Sequence, residues 1–196
     1  MKLYIVRHGE SETNKKGLWT GWLDVPLTEG GMRDAETAKA ILSGIKFDKV
    51  YSSDLSRAKK TCEIALDNIP YETLPLLREV NVGNIAGKPL TVISNEERAE
   101  ISRFGYRKFD GESREDLKNR VCEFMKKVSE SGYESVAAFS HAGFIHTMLC
   151  TVLEAEISRK NTVCNNCTVA IFEFTNGIWR LHSWINNTVS KDYDGN

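Results

Sequence analysis

Residues 2–9 read Lys2-Leu3-Tyr4-Ile5-Val6-Arg7-His8-Gly9: a short apolar run followed at once by a guanidinium, an imidazole and a glycine. The run predicts a short buried strand from Lys2 to Arg7. It is far too short for a signal peptide or a membrane span, so no targeting segment is expected. The polar pair falls immediately beyond the strand, and that placement is the informative feature.

The rest of the chain repeats this arrangement. A polar, glycine-containing loop is expected from Gly9 to Pro26. Thr28 suits the N-cap of a helix to about Leu42, with Met32, Ala35, Ala38 and Leu42 as its core face. Phe47 to Ser52 predicts a second strand and Asp54 to Asp67 a second helix. Pro70 to Asp110 is the least regular part, with one helix around Asn95 to Phe104. Ser113 and Asp116 fit a capping box for a helix to about Ser129. Ser135 to Ser140 predicts a strand and Gly143 to Leu153 a helix. Two more strands are expected near Thr168 to Phe174 and Ile178 to Ile185, with Gly177 at their turn. Strands alternating with helices imply an α/β three-layer sandwich: a mostly parallel central sheet with helices on both faces. One domain over residues 1–196 is expected, with an irregular substrate-covering segment near 80–110.

Composition narrows the function. The chain is 41% hydrophobic and 27% charged with 4 prolines, as a globular protein is. Its net charge of -1 argues against nucleic acid or an anionic membrane as the main partner. The 5 cysteines are scattered and odd in number, which predicts a reducing, cytoplasmic compartment. Cys164 and Cys167 form a C-x-x-C. No second pair accompanies them and the histidines lack zinc-site spacing, so two small side chains at the start of a strand is the preferred reading over a metal or redox role.

In parallel sheets, ligands bind beyond the carboxyl ends of the strands. Arg7 and His8 lie at the end of the first strand, Arg57 just past the second, and His141 at the end of the third. A phosphomonoester carries about two negative charges, and arginine holds its oxygens by paired N–H bonds. Arg7 and Arg57 suit that task. A neutral imidazole can attack phosphorus, and His8, between Arg7 and Gly9, is the better nucleophile candidate. Gly9 would let the chain turn sharply and bring N–H groups close to an anion. His141 would stabilise charge on the transferring group, just before a helix whose N–H groups favour phosphate. The leaving alkoxide needs a proton. Glu79 is the best acid in the irregular segment, with Glu72, Glu96 and Glu97 as rivals. His146 and His182 read as structural. Each residue alone is weak; their joint placement at strand ends is not.

Five blocks carry a resemblance. They are Arg7-His8-Gly9-Glu10-Ser11-Glu12-Thr13-Asn14, then Thr20 to Gly31, then Tyr51 to Ala58, then Asp110-Gly111-Glu112-Ser113, and Ser140-His141-Ala142-Gly143. In this order they resemble the histidine phosphatase superfamily, in its phosphoglycerate mutase-like branch. The resemblance implies a phosphohistidine at His8, a phosphate pocket of Arg7, Arg57 and His141, and Glu79 as proton donor. It further implies that Asn14 contacts the phosphate and that Thr20 and Gly21 line the entrance. It implies no metal and no organic cofactor.

Mutases and phosphatases both occur in the family. Thr20-Gly21-Trp22 is similar to mutases, but mutases usually continue after the acid with Arg-His-Tyr-Gly, where this chain has Val80-Asn81-Val82-Gly83. A phosphatase of a small phosphorylated metabolite is therefore the leading reading. A phosphoglycerate mutase is second, and a non-catalytic phosphate-binding protein third. Arg98, Arg103, Arg107 and Lys108 could meet a second anionic group; a solvated charged face is the favoured alternative.

Overall fold

The computed structural model describes residues 1–158 and 161–187. The expected single domain over 1–196 runs at its end into residues 188–196, which lie outside the described residues. The described strands are β1 (Lys2–Arg7), β2 (Lys49–Ser52), β3 (Glu72–Thr73), β4 (Ser135–Ser140), β5 (Val169–Thr175) and β6 (Ile178–Ile185). They form one sheet in the order β3-β2-β4-β1-β5-β6. The β1–β4, β4–β2 and β2–β3 pairs are parallel, and β5 runs antiparallel to both β1 and β6.

The described helices are α1 (Glu12–Lys15), α2 (Glu29–Leu42), α3 (Ser56–Ala65), α4 (Asn95–Phe104), α5 (Arg114–Ser129) and α6 (Ala142–Val152). Successive strand residues point to opposite faces, and in β1 both faces are covered. Leu3 and Ile5 pack with Val121 and Phe124 of α5 and Phe144 and Met148 of α6. Val6 packs on the other side with Ala35, Ala38 and Leu42 of α2 and Cys62 and Ala65 of α3. This is the three-layer sandwich, and β1 at its middle is continuously apolar because neither face meets water.

Local signals set several boundaries. Thr28 Oγ1 accepts from Gly31 N at 3.0 Å, capping α2. Ser113 and Asp116 form the capping box of α5. Four expectations need correction. Met32 is 38% exposed. Gly31, not Met32, stands in helical register with Ala35, Ala38 and Leu42, at i+4, i+7 and i+11. The second strand starts at Lys49, not Phe47, whose ring turns instead onto Tyr4. The second helix starts at Ser56, whose N–H is held by Asp24 Oδ1, and not at Asp54, which is engaged by Arg78. The loop from Gly9 to Pro26 contains α1, capped by Ser11 and Asn14.

Register brings the strand ends level. Arg7 pairs with Ser140 and Ser52 with Phe139, so His8, Ser53 and His141 emerge together at the carboxyl edge.

Candidate active site

The neutral tautomer of His8 is set by its own loop. Its Nδ1 lies 2.7 Å from the carbonyl oxygen of Gly9. A carbonyl can only accept, so Nδ1 carries the proton and Nε2 keeps its lone pair. Arg57 Nε donates to that Nε2 at 3.3 Å. His8 is 4% exposed. Burial, with the charges of Arg57 and then Arg7 beside it, holds the imidazole well below its usual 6.5, and the bond to Gly9 opposes this only partly. His8 is thus a neutral base with a directed lone pair.

The second imidazole lies against the first, their ring centroids 5.0 Å apart. His141 is fully buried, and its Nε2 lies 3.0 Å from Ser53 Oγ. Burial is the main cause that holds it, too, well below 6.5, followed by the charge of Arg57. Its Nδ1 and the Nε of Arg7 are buried with no hydrogen-bond partner among the described residues. Leaving such groups unsatisfied costs roughly 1–3 kcal/mol each, so two in one place suggest a site shaped for a polar ligand.

Arg57 is fully buried, which lowers its guanidinium to about 10, still cationic near neutrality; Glu79 and Asp24 oppose the shift. Its Nη1 and Nη2 donate to the carbonyls of Leu23 at 2.7 Å and Gly21 at 2.9 Å. Arg7 Nη1 donates to the carbonyl of Cys164.

Glu79 meets the start of α6. Its Oε2 accepts from Gly143 N at 3.2 Å, in the first turn of α6, two residues from His141. Its Oε1 accepts from Val80 N at 2.9 Å. The rivals lie elsewhere. Glu72 is paired with Lys49 at 2.8 Å on the edge strand, while Glu96 and Glu97 sit in the first turn of α4, Glu97 closing the Ser94 capping box.

Gly9, Asn14, Thr20 and Gly21 have partners within the protein. Gly9 keeps an ordinary φ and its N–H goes to Thr61 Oγ1 at 3.0 Å, not toward an anion. It must be glycine for a close approach: a Cβ there would stand 2.2 Å from the carbonyl oxygen of Gly31. Asn14 Oδ1 accepts from Ser11 N at 3.2 Å, closing the cap of α1. Thr20 Oγ1 is 2.6 Å from Thr13 Oγ1, and Gly21 offers its carbonyl to Arg57. Lys108 pairs with Glu97 and Glu100 at 3.3 and 3.4 Å, Arg107 lies 4.0 Å from Asp116, and Arg98 Nη2 donates to Leu90 O at 2.5 Å. These three behave as a charged surface tied to itself.

Cys164 and Cys167 do not open a strand; β5 begins at Val169, and Cys167 is left-handed at φ 57°. Their segment clasps the backbone of Arg7 and His8. Cys167 N donates to Arg7 O at 3.1 Å, and Asn166 Nδ2 to His8 O at 2.9 Å. The sequence offers no pattern for Asn166 beyond its place between the two cysteines. Among the described residues no cluster of three or more His, Cys, Asp or Glu could hold a metal ion, and no helix is long and apolar enough to cross a membrane.

Fold and site together define an α/β protein that gathers a neutral histidine and two guanidinium groups at the carboxyl edge of its sheet. The model of the histidine phosphatase superfamily (branch 1) matches residues 3–187, and the chain belongs to that superfamily. It is 27% identical over 161 residues to the adenosylcobalamin/alpha-ribazole phosphatase of Escherichia coli (strain K12), covering 78% of this chain and 79% of that one. It is 45% identical over 92 residues to a 2,3-bisphosphoglycerate-dependent phosphoglycerate mutase of Xanthobacter autotrophicus, a match that spans 43% of this chain and only 44% of that relative's length. The solved phosphoglycerate mutase of Bacillus anthracis str. Sterne superposes with a TM-score of 0.81 at 26% identity, covering 93% of this chain and 92% of that one.

Proposed function

We propose that this chain is a metal-independent phosphatase of small phosphomonoesters that works through a phosphohistidine at His8. One observation carries the reading. The lone pair of a buried, neutral His8 Nε2 stands beside Arg57, with the buried Arg7 Nε and His141 Nδ1 left for a ligand's oxygens.

The geometry supports two steps. The phosphoryl oxygens bind Arg7, Arg57 and His141, with Asn14 adding a contact and Thr20 and Gly21 at the entrance. His8 Nε2 attacks phosphorus, the ester P–O bond breaks, and Glu79 gives its proton to the leaving oxygen. In the second step the Glu79 carboxylate takes a proton from water while the water oxygen attacks phosphorus. The P–N bond breaks, inorganic phosphate leaves, and His8 is neutral again. Fixed cations and imidazoles at the transferring group lower the barrier without reorganisation.

The substrate is a small phosphorylated metabolite, as the name of the alpha-ribazole phosphatase relative suggests. Nucleic acid and membrane are not partners on this reading, in keeping with the net charge of -1. The 5 free cysteines fit a cytoplasmic setting.

The 45% identity to a mutase over part of the chain favours a second reading, isomerisation of a phosphoglycerate through the same phosphohistidine. A mutase must retain its dephosphorylated product while excluding water. The Val80-Asn81-Val82-Gly83 stretch offers no cation for that grip. The test is a panel of phosphomonoesters, including 3-phosphoglycerate with a trace of 2,3-bisphosphoglycerate. Release of inorganic phosphate with only slow formation of 2-phosphoglycerate is expected. Fast, primer-dependent isomerisation with little free phosphate would give the second reading precedence.

A further inference from the structure

Glu79 has no strand or helix of its own to hold it. The chain from Pro75 to Ile85 runs through two short 3-10 turns, Pro75–Leu77 and Gly83–Ile85. A side chain from α5 fixes it. Arg120 Nη1 donates to the carbonyls of Leu76 and Arg78, both at 2.7 Å, and Nη2 to the carbonyl of Glu79 at 3.1 Å. The same guanidinium forms a two-pronged pair with Glu112, at 3.0 Å from Nε and 2.8 Å from Nη2. Glu112 Oε2 accepts from Asn81 N at 2.7 Å, and Glu112 N donates to Asn81 O at 2.8 Å. Both side chains are nearly enclosed, Arg120 at 12% and Glu112 at 14% exposed. Arg120 also lies over the ring of Phe144, 5.9 Å from its centroid. Phe144 is the neighbour of Gly143, whose N–H holds the Glu79 carboxylate.

We propose that Arg120, neutralised by Glu112, is the positioning residue for the proton donor. It gathers the backbone up to Glu79 around one guanidinium, while its partner Glu112 holds Asn81 beyond, and together they set that backbone against the start of α6, so the carboxyl group meets the leaving oxygen. This rests on the reading of Glu79 as the acid. The chemistry requires arginine. Five donors in a planar fork serve three carbonyls and a carboxylate at once, which the three donors of an ammonium on a single nitrogen cannot do. Glu112 is equally needed, since an unpaired guanidinium in this enclosure would carry a heavy desolvation cost. Small displacements suffice for the effect, because proton transfer demands hydrogen-bond reach to the leaving oxygen.

The experiment compares the parent, Arg120→Lys, Glu112→Gln and Glu79→Gln on aryl and alkyl phosphates graded from good to poor leaving groups. A positioning role makes Arg120→Lys and Glu112→Gln lose rate selectively on poor leaving groups, by roughly tenfold or more, within the roughly 10²–10⁴-fold that general acids contribute. On p-nitrophenyl phosphate they should stay near the parent, and vanadate should inhibit all four proteins alike. In the Glu79→Gln background, Arg120→Lys should add little, as expected for residues acting on one step. A merely structural role lowers all substrates by one factor. That outcome in Arg120→Lys, with selectivity retained in Glu79→Gln, overturns the proposal and leaves the acid intact. Equal loss on all substrates in Glu79→Gln overturns the acid assignment, and the proposal with it. Should Arg120→Lys not fold, Glu112→Gln decides by the same readout.

Discussion

His8 and His141 stand at the ends of two adjacent parallel strands, paired residue by residue through Arg7 and Ser140. Glu79 stands on a stretch whose carbonyls are gathered by side chains, from Arg120 on one side and from Trp22 Nε1, which donates to Glu79 O at 2.6 Å, on the other. The first side of the site is built by the sheet and sealed by burial. Its imidazoles are neutral because they are buried and two arginines stand close. The second is half-buried and held by side-chain bonds to backbone. Trp22 is itself covered by Arg78, 4.9 Å away, which Asp54 fixes through two bonds at 2.8 and 2.6 Å. The contrast teaches where each kind of damage should appear. Faults on the nucleophile side should slow every substrate alike, whereas faults on the acid side should depend on the leaving group.

The largest effect belongs to the nucleophile. His8→Ala should reduce turnover to background on aryl and alkyl phosphates together, since it removes the Nε2 lone pair that Arg57 Nε contacts. Steady-state assays on both classes check this, and residual activity near the parent level on either one would break the contrast. Next comes Glu79→Gln. It should lower kcat/KM on alkyl phosphates by roughly 10²–10⁴-fold while p-nitrophenyl phosphate is far less affected. A uniform loss would move Glu79 to the phosphate-holding side.

The two sides also differ in how much of them the sequence reveals. Strand ends are readable because a short apolar run stops abruptly at Arg7-His8 and at Ser140-His141, and the strand sets the direction of the residues beyond it. Capping at Thr28 and Ser113 is readable because its partners lie three residues on. Arg120 is not readable. In sequence it is one more cation on a helix, and its carbonyl partners are 41 to 44 residues away. Asn166 is hidden for the same reason, since the carbonyl of His8 that it holds is 158 residues distant. Side-chain bonds to remote backbone have no periodicity for a sequence to display. Met32 shows a subtler failure: apolar character alone points it to the inner face of α2, a place that Gly31 fills.

Asn166→Ala sharpens the comparison at smaller scale. It removes one hydrogen bond from the nucleophile's backbone, worth about 1 kcal/mol, or roughly fivefold. Because Asn166 serves the sheet side, the loss should be the same for good and poor leaving groups. A loss confined to alkyl phosphates would show that the two sides are not separate.

The last effect concerns stability, not turnover. His8 and His141 are held below 6.5 in the folded chain, so between 6.5 and their folded values the unfolded chain binds more protons. Their contribution is present above about pH 6.5 and is lost as pH falls through that window, by up to about 1.4 kcal/mol per pH unit for each imidazole. Urea unfolding from about pH 7 to about pH 5 should show stability falling in the parent and falling less steeply in His8→Asn. Identical slopes would mean that burial does not govern this imidazole.

The proposed mechanism turns on one bond between phosphorus and His8 Nε2. Rapid acid-free quenching of the enzyme mid-turnover with a radiolabelled phosphomonoester, and then peptide mapping, tests it directly. Acid-labile, base-stable label on the peptide carrying His8, absent in His8→Ala, is the predicted result. Active enzyme with no protein-bound label, or with label on another residue, would contradict it.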